Sequence, residues 1–336
     1  MEAEPPAPTP PPEPTPPPQE DPPPEPPTPP PPPSPAPEAR SAVVAEAIPV
    51  VGPAPETKLD IAAWQVRLER WHFSSGTIDG EYGPRSRRAV SQFQLHHRLP
   101  VTGLLDDETR AALGMPGNPF QLYQVTREDM DQIQPTPEKW KEKAEADFLG
   151  FNDSWEMIAE KFHSTPEFMQ ELNPGIEIIQ EGTSLTAPNL DHSRPLPKVD
   201  RVVILLSETT LLAYRNGQVM ACFPCSIAAD KNKRPAGELR IKNRAPNPNY
   251  TFSPDLFPEV SAEEGIEKRM IIPPGPNNPV GLAWMGLTLP GYGIHGTPEP
   301  TRISASGSSG CFRLANWNAR KLIQMVEVGT PVDVIP

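Results

Sequence analysis

Gly293-Ile294-His295-Gly296-Thr297, followed after a gap by Ser308-Ser309-Gly310-Cys311-Phe312-Arg313-Leu314, is the stretch on which the reading of this chain turns. A thiol with an ordinary pKa of about 8.5 is only slightly ionised at neutral pH, so a cysteine nucleophile needs a neighbouring base or a positive field. His295 supplies either. Glycines beside both residues leave the backbone unobstructed, and the successive amides of Ser309, Gly310 and Cys311 are candidates to face a developing oxyanion. A His and a Cys sixteen positions apart are more often a coincidence than a catalytic pair, so the surroundings must decide.

Outward from this stretch the apolar period is that of strands. Arg201 to Leu206 is a continuous run, Leu211 to Tyr214 and Gln218 to Phe223 flank the turn Asn216-Gly217, and Glu238 to Ile241, Ala283 to Leu289 and Val332 to Ile335 follow. An all-β core is expected. One late helix is signalled by Ala319, Leu322, Ile323 and Val326, with Asn316 as its expected N-cap. Pro246 to Pro279 is too long for a silent loop and reads as a lid or cleft wall. Cys222 and Cys225 form a C-x-x-C in an extended run, where residues three apart face opposite ways. They read as two buried strand cysteines, with a redox pair or half a metal site as the alternative. Trp284 and Tyr292 are expected in the core, and His72, His96, His97, His163 and His192, which lack ligand spacing, on the solvated surface.

The His-Gly-Thr and Ser-Ser-Gly-Cys-Phe-Arg pieces together resemble the motif of the L,D-transpeptidase (YkuD-like) family. That motif runs His-Gly-Thr, a fixed gap, then Ser-His-Gly-Cys-Ile/Val-Arg. Arg234-Pro235-Ala236-Gly237-Glu238-Leu239, Asn277-Asn278-Pro279-Val280-Gly281 and Val328-Gly329-Thr330-Pro331-Val332 resemble further family segments, so the likeness covers 199 to 336. Ser309 stands where the family usually has His, and Ser304 where it commonly has Gly. The resemblance implies a mainly-β catalytic domain over 198–336 in which Cys311 is the nucleophile, His295 the general base and the Gly296 carbonyl its orienter. Ser308, Ser309, Gly310 and Arg313 are then candidates to bind substrate, Arg313 through a stem carboxylate unless it serves a structural salt bridge. The implied reaction needs no metal and no cofactor. Cys311 attacks the third residue of a peptidoglycan tetrapeptide stem, D-Ala leaves, and an amine takes the acyl group. A carboxypeptidase using water at the same site and a non-catalytic wall-binding protein are the competing readings.

Before the strands lie two smaller segments. Ile61, Trp64, Gln65 and Leu68, then Ser86, Ala89, Val90 and Phe93, hold helical spacing, and a third short helix runs from about Asp107 to Leu113. Asp79-Gly80, Gly83-Pro84 and Thr102-Gly103 separate them. Trp64 to Leu68, Ile78 to Pro84, Ala89 to Gln94 and Leu99 to Gly103 are similar to the peptidoglycan-binding three-helix domain, here over 57–115. Between 120 and 192, Tyr123-Gln124-Val125, Ser154 to Ala159, Phe168 to Pro174 and Gly182 to Pro188 are similar to a small α+β LysM glycan-binding module of βααβ outline. A charged insertion from Glu128 to Asn152 displaces its start, and an unrelated helical linker is the alternative.

Residues 1–56 read as a disordered tether, for 22 of the first 40 are proline and almost nothing there is apolar. As polyproline II at about 3.1 Å per residue, the first 40 or so residues span on the order of 100 Å. The formal charge of −13, with no basic stripe, excludes nucleic acid as a partner. No run approaches the length of a transmembrane helix, and Met1-Glu2-Ala3-Glu4 lacks the basic start of a signal peptide. The expected whole is a multidomain monomer of the cell envelope, periplasm or wall, whose partners are peptidoglycan stem peptides and glycan.

Overall fold

The computed structural model describes residues 57–114, 118–191, 193–304 and 310–336. The proline-rich tether, His192, Ser308 and Ser309 lie outside the described residues. Helix α1 (Lys58–Arg70) begins at a capping box between Thr57 and Asp60, α2 (Pro84–His97) begins with proline, and α3 (Asp107–Leu113) is capped by Asp106. Buried Gln65 and Gln94 do the same work on successive turns. The side-chain carbonyl of Gln65 accepts from the amides of Asp79 and Gly80, and that of Gln94 from Thr102 and Gly103. The repeated Asp-Gly and Thr-Gly are therefore two copies of one glutamine-held turn.

Strand β1 (Phe120–Gln124) leads into the charged insertion, which carries α4 (Arg127–Met130) and α5 (Trp140–Glu145). Helices α6 (Ser154–Lys161) and α7 (Pro166–Leu172) follow, and β2 (Ser184–Pro188) returns antiparallel to β1. This middle segment is a βααβ unit with its own core of Val125, Met157, Ile158, Met169 and Leu185.

The rest is one curled sheet. Its strands are β3 (Arg201–Leu205), β4 (Thr210–Arg215), β5 (Gln218–Pro224) and β6 (Gly237–Pro246), then, after a flap, β9 (Ala283–Leu287), β10 (Gly293–His295), β11 (Phe312–Arg313) and β12 (Pro331–Ile335). The order is β11-β10-β9-β6-β12-β3-β4-β5. Between β4 and β5, Asn216 and Gly217 both take positive φ, 51° and 75°, as a two-residue hairpin turn requires. Just past β5, Ser226 exchanges two backbone hydrogen bonds with Arg313, of 2.9 and 3.0 Å, so the sheet's two edges meet and the curl closes. The flap, β7 (Tyr250–Phe252), α8 (Pro258–Glu264) and β8 (Met270–Ile272), is the segment read as a lid. Helix α9 (Asn316–Met325) lays Ala319, Leu322 and Ile323 into the inner core with Phe223, Met285, Ile294 and Phe312. Its N-cap is Ala315, with no side-chain cap bond, so Asn316 opens the helix instead of capping it.

The outer face of β3, β4 and β5 is covered too. Val203, Leu212, Val219 and Cys222 share a core with Phe73, Val90 and Phe93 of the helical domain. The two strand cysteines divide as alternation requires, Cys222 into this seam and Cys225 into the inner core. The chain at 72–74 also serves as an edge strand: Cys222 N–H donates to the His72 carbonyl at 3.0 Å, and Ser74 N–H to the Cys222 carbonyl at 2.8 Å. A buried ion cluster ties all three parts together, with Glu69 of α1 accepting from Lys321 of α9 and from His163 after α6. Lys321 and the His163 bond hold the Glu69 carboxyl below the usual range despite its burial. His72 and His163 are thus buried at seams, not solvated, and His96 and His97 pack on Trp71, Phe73 and Phe93. These pairings join residues far apart in sequence, which is why local spacing gave no sign of them.

Candidate active site

Strands β9, β10 and β11 carry two opposite faces. Ile294 pairs with Met285 and Phe312, and all three point into the inner core. His295 pairs with Trp284 on one side and Arg313 on the other, so these three share the outward face. Cys311 immediately precedes β11, near the Gly293 backbone and the Arg313 charge. Its thiol donates to the Gly291 carbonyl at 3.6 Å.

His295 is 4% exposed. Its Nδ1 lies 2.6 Å from the Gly296 carbonyl, which makes Nδ1 the protonated nitrogen and leaves the Nε2 lone pair available. The ring lies against Trp284, centroids 5.6 Å apart. Burial lowers the imidazole pKa to about 4, only partly offset by the Gly296 bond and reinforced by Arg313. At neutral pH it is an uncharged base. Burial raises the Cys311 thiol, against which the Gly293 backbone and the Arg313 charge favour the thiolate. At neutral pH the two groups are thus a neutral thiol and a neutral imidazole.

The backbone around the pair is close-packed. Gly310 has φ 151°, and a Cβ there would approach the Tyr292 ring to 3.1 Å. A Cβ on Gly296 would fall 2.2 Å from Asn316 Oδ1, and one on Gly281 at 1.9 Å from the same atom. The Asn277 to Gly281 turn therefore passes directly behind the residue that orients His295.

Residues 199–334 match the YkuD family, described as the L,D-transpeptidase catalytic domain, and 57–113 match a putative peptidoglycan binding domain. A putative L,D-transpeptidase of Fuscovulum blasticum is 33% identical over 145 residues, covering 43% of this chain and 74% of its own. The chain belongs to the L,D-transpeptidase family. The putative L,D-transpeptidase YkuD of Bacillus licheniformis is 27% identical over 186 residues, 55% of this chain and 94% of its own. Among solved structures, an L,D-transpeptidase fragment from Xylanimonas cellulosilytica covers 84% of this chain and 98% of its own, at 18% identity and a TM-score of 0.36.

As an L,D-transpeptidase with a peptidoglycan-binding domain, the protein is an enzyme of peptidoglycan remodelling. Two aromatic residues join its site that the sequence reading did not place there. Trp284 was expected in the core but stacks on the His295 imidazole, and Tyr250 of the flap lies close enough to Cys311 for a thiolate charge to raise its phenol, after the larger effect of burial. Tyr292 packs against the inner core as expected. The flap is braced by α5, whose Trp140 ring lies 4.6 Å from Phe252 and 6.0 Å from Tyr250, while Glu264 accepts from the Trp140 and Lys141 amides. Ser304 sits at φ 71°, the left-handed conformation that glycine adopts without strain, which explains glycine's frequency at that family position. Arg313 has no ion pair among the described residues, so the structural salt bridge weighed for it is not formed there.

Proposed function

We propose that Cys311 is the nucleophile of an L,D-transpeptidase that works in the cell envelope on tetrapeptide stems. The reading is supported by one observation, the buried neutral imidazole of His295 on β10 and the Cys311 thiol directly before the neighbouring β11, with the Arg313 charge acting on both. Cys311 Sγ adds to the carbonyl carbon of the third stem residue, an L-centre, while His295 Nε2 takes the thiol proton. Amides near Gly310 and Cys311 are the candidate donors to the resulting oxyanion. The carbon–nitrogen bond to D-Ala breaks, His295 returns the proton to the leaving amine, and a thioester remains. An amine of a second stem attacks the thioester, the carbon–sulfur bond breaks, and a 3→3 amide link forms with the thiol restored. Arg313, whose charge lies on the same face, is assigned to a stem carboxylate, and the α1–α3 domain to holding the enzyme on the wall polymer.

Incubation of the full chain with tetrapeptide-rich sacculi, followed by muropeptide analysis against Cys311→Ala, tests this. Dimers joined 3→3 are expected from the wild type alone. Tripeptides without dimers would assign the thioester to water, and products identical to those of Cys311→Ala would sink the assignment.

A further inference from the structure

Glu160 belongs to α6 of the middle segment, yet its carboxyl group meets the back of the catalytic site. Glu160 Oε1 accepts from Asn316 Nδ2 at 2.9 Å. The same Asn316 nitrogen donates to the Pro276 carbonyl at 3.0 Å, and Asn316 Oδ1 accepts from the Leu282 amide at 3.0 Å. That oxygen fills the space left by the missing side chains of Gly281 and Gly296. Gly296 in turn presents the carbonyl that holds His295 Nδ1. Every polar atom of the Asn316 amide is thereby committed to fixing the crossing of two backbone segments, and Glu160 supplies the one side-chain partner in that set.

We propose that Glu160 is a positioning residue for His295, acting through Asn316 on the Gly281–Gly296 crossing, so that turnover depends on a side chain from outside the catalytic domain. The proposal rests on the Cys311–His295 chemistry set out above. Burial raises the Glu160 carboxyl to about 8, so the group is neutral at neutral pH and glutamine reproduces both its shape and its acceptor. Methionine keeps the volume and removes the acceptor.

The test is the rate of Cys311 acylation by a carbapenem in the full chain, resolved into a maximal rate and a half-saturating concentration. Glu160→Met is expected to lower the maximal rate about ten-fold with half-saturation unchanged, as misalignment of a catalytic group does. Glu160→Gln is expected to restore it to within about two-fold of wild type. Wild-type rates in Glu160→Met, equal slowing in both variants, or an effect confined to half-saturation would each overturn the proposal. A second readout is the downfield proton resonance of His295 Nδ1, identified by its loss in His295→Gln. It should shift in Glu160→Met and return in Glu160→Gln, and an unmoved signal refutes the coupling. Wild-type protein that takes no acyl group would remove the function proposed above, while this resonance would still decide the role of Glu160.

Discussion

At the β5 end of the sheet Cys222 faces the aromatic seam and Cys225 the inner core, and burial pushes the first thiol up to about 12 and the second higher still. At the β11 end Cys311 also lies beside buried strands, but its thiol meets the Gly291 carbonyl, the Gly293 backbone and the Arg313 charge instead of a second hydrophobic layer. The difference lies in what covers the strand. Where both faces are sealed, a cysteine is a small apolar side chain; where polar groups adjoin it, its thiol has neighbours that favour the thiolate.

Replacing the sulfur at each end is the strongest way to break this contrast. Cys311→Ala is expected to lower turnover to background, at least about 10⁴-fold, with an unchanged denaturation midpoint. Iodoacetamide should label Cys311 alone in the native protein, faster as pH rises because its pKa is raised, and Cys222 and Cys225 only after unfolding. Mass spectrometry that finds either strand cysteine labelled without unfolding would abolish the distinction. The next largest effect belongs to the sealed end. Phe73 is fully buried between α2 and β5, so Phe73→Ala is expected to cost about 3–5 kcal/mol of unfolding free energy. Activity per folded molecule should stay the same.

Each end also contains one buried histidine with a pKa near 4, His72 at the seam and His295 in the site, against an ordinary value of 6.5. The unfolded chain binds protons between those values that the folded chain does not. Stability should therefore fall as pH drops from about 6.5 to about 4, with a slope of up to about 1.4 kcal/mol per pH unit for each histidine. His72→Asn, which suits the positive φ of 68° at that position, should make the acid limb shallower by about one proton in urea titrations. An unchanged slope would show that His72 does not titrate differently on folding. The smallest expected change sharpens the site end: Ser304→Gly relieves a left-handed serine whose Oγ has no partner among the described residues. It should stabilise the protein by about 1 kcal/mol, read as a higher thermal midpoint.

How legible these regions were depended on the range of the interactions. The continuous apolar run of β3 and the short apolar runs of β4, β5 and β12 exposed the strands, and the alternation of an extended chain sent Cys222 and Cys225 to opposite faces. The Asn-Gly hairpin and the Asp-Gly and Thr-Gly turns are local, and they were visible; the glutamines that hold those turns, 8 to 15 residues away, were not. Cys311, His295 and Gly296 were singled out because the His-Gly-Thr and Ser-Ser-Gly-Cys-Phe-Arg pieces resemble a family motif, for their spacing alone would not have separated them from coincidence. Trp284 was misplaced because an apolar side chain reads the same whether its strand face points to a core or to a substrate. Asn316 had the position of a helix cap, and only the folded turn at Gly281 gives its amide other partners. Glu160, Tyr250 and His163 reach the site or its supports across more than forty residues of chain, and no periodicity encodes such a meeting.

Strand β5 is the common wall of two hydrophobic cores, which bears on how this gene can be cut. A fragment starting at residue 198 would bring Val203, Leu212, Val219 and Cys222 into water as a sticky apolar plate and leave the main chain of Cys222 unpaired. Such a piece would aggregate, so the N-terminal helices cannot be exchanged like beads on a string: they are inherited together with the sheet they cover.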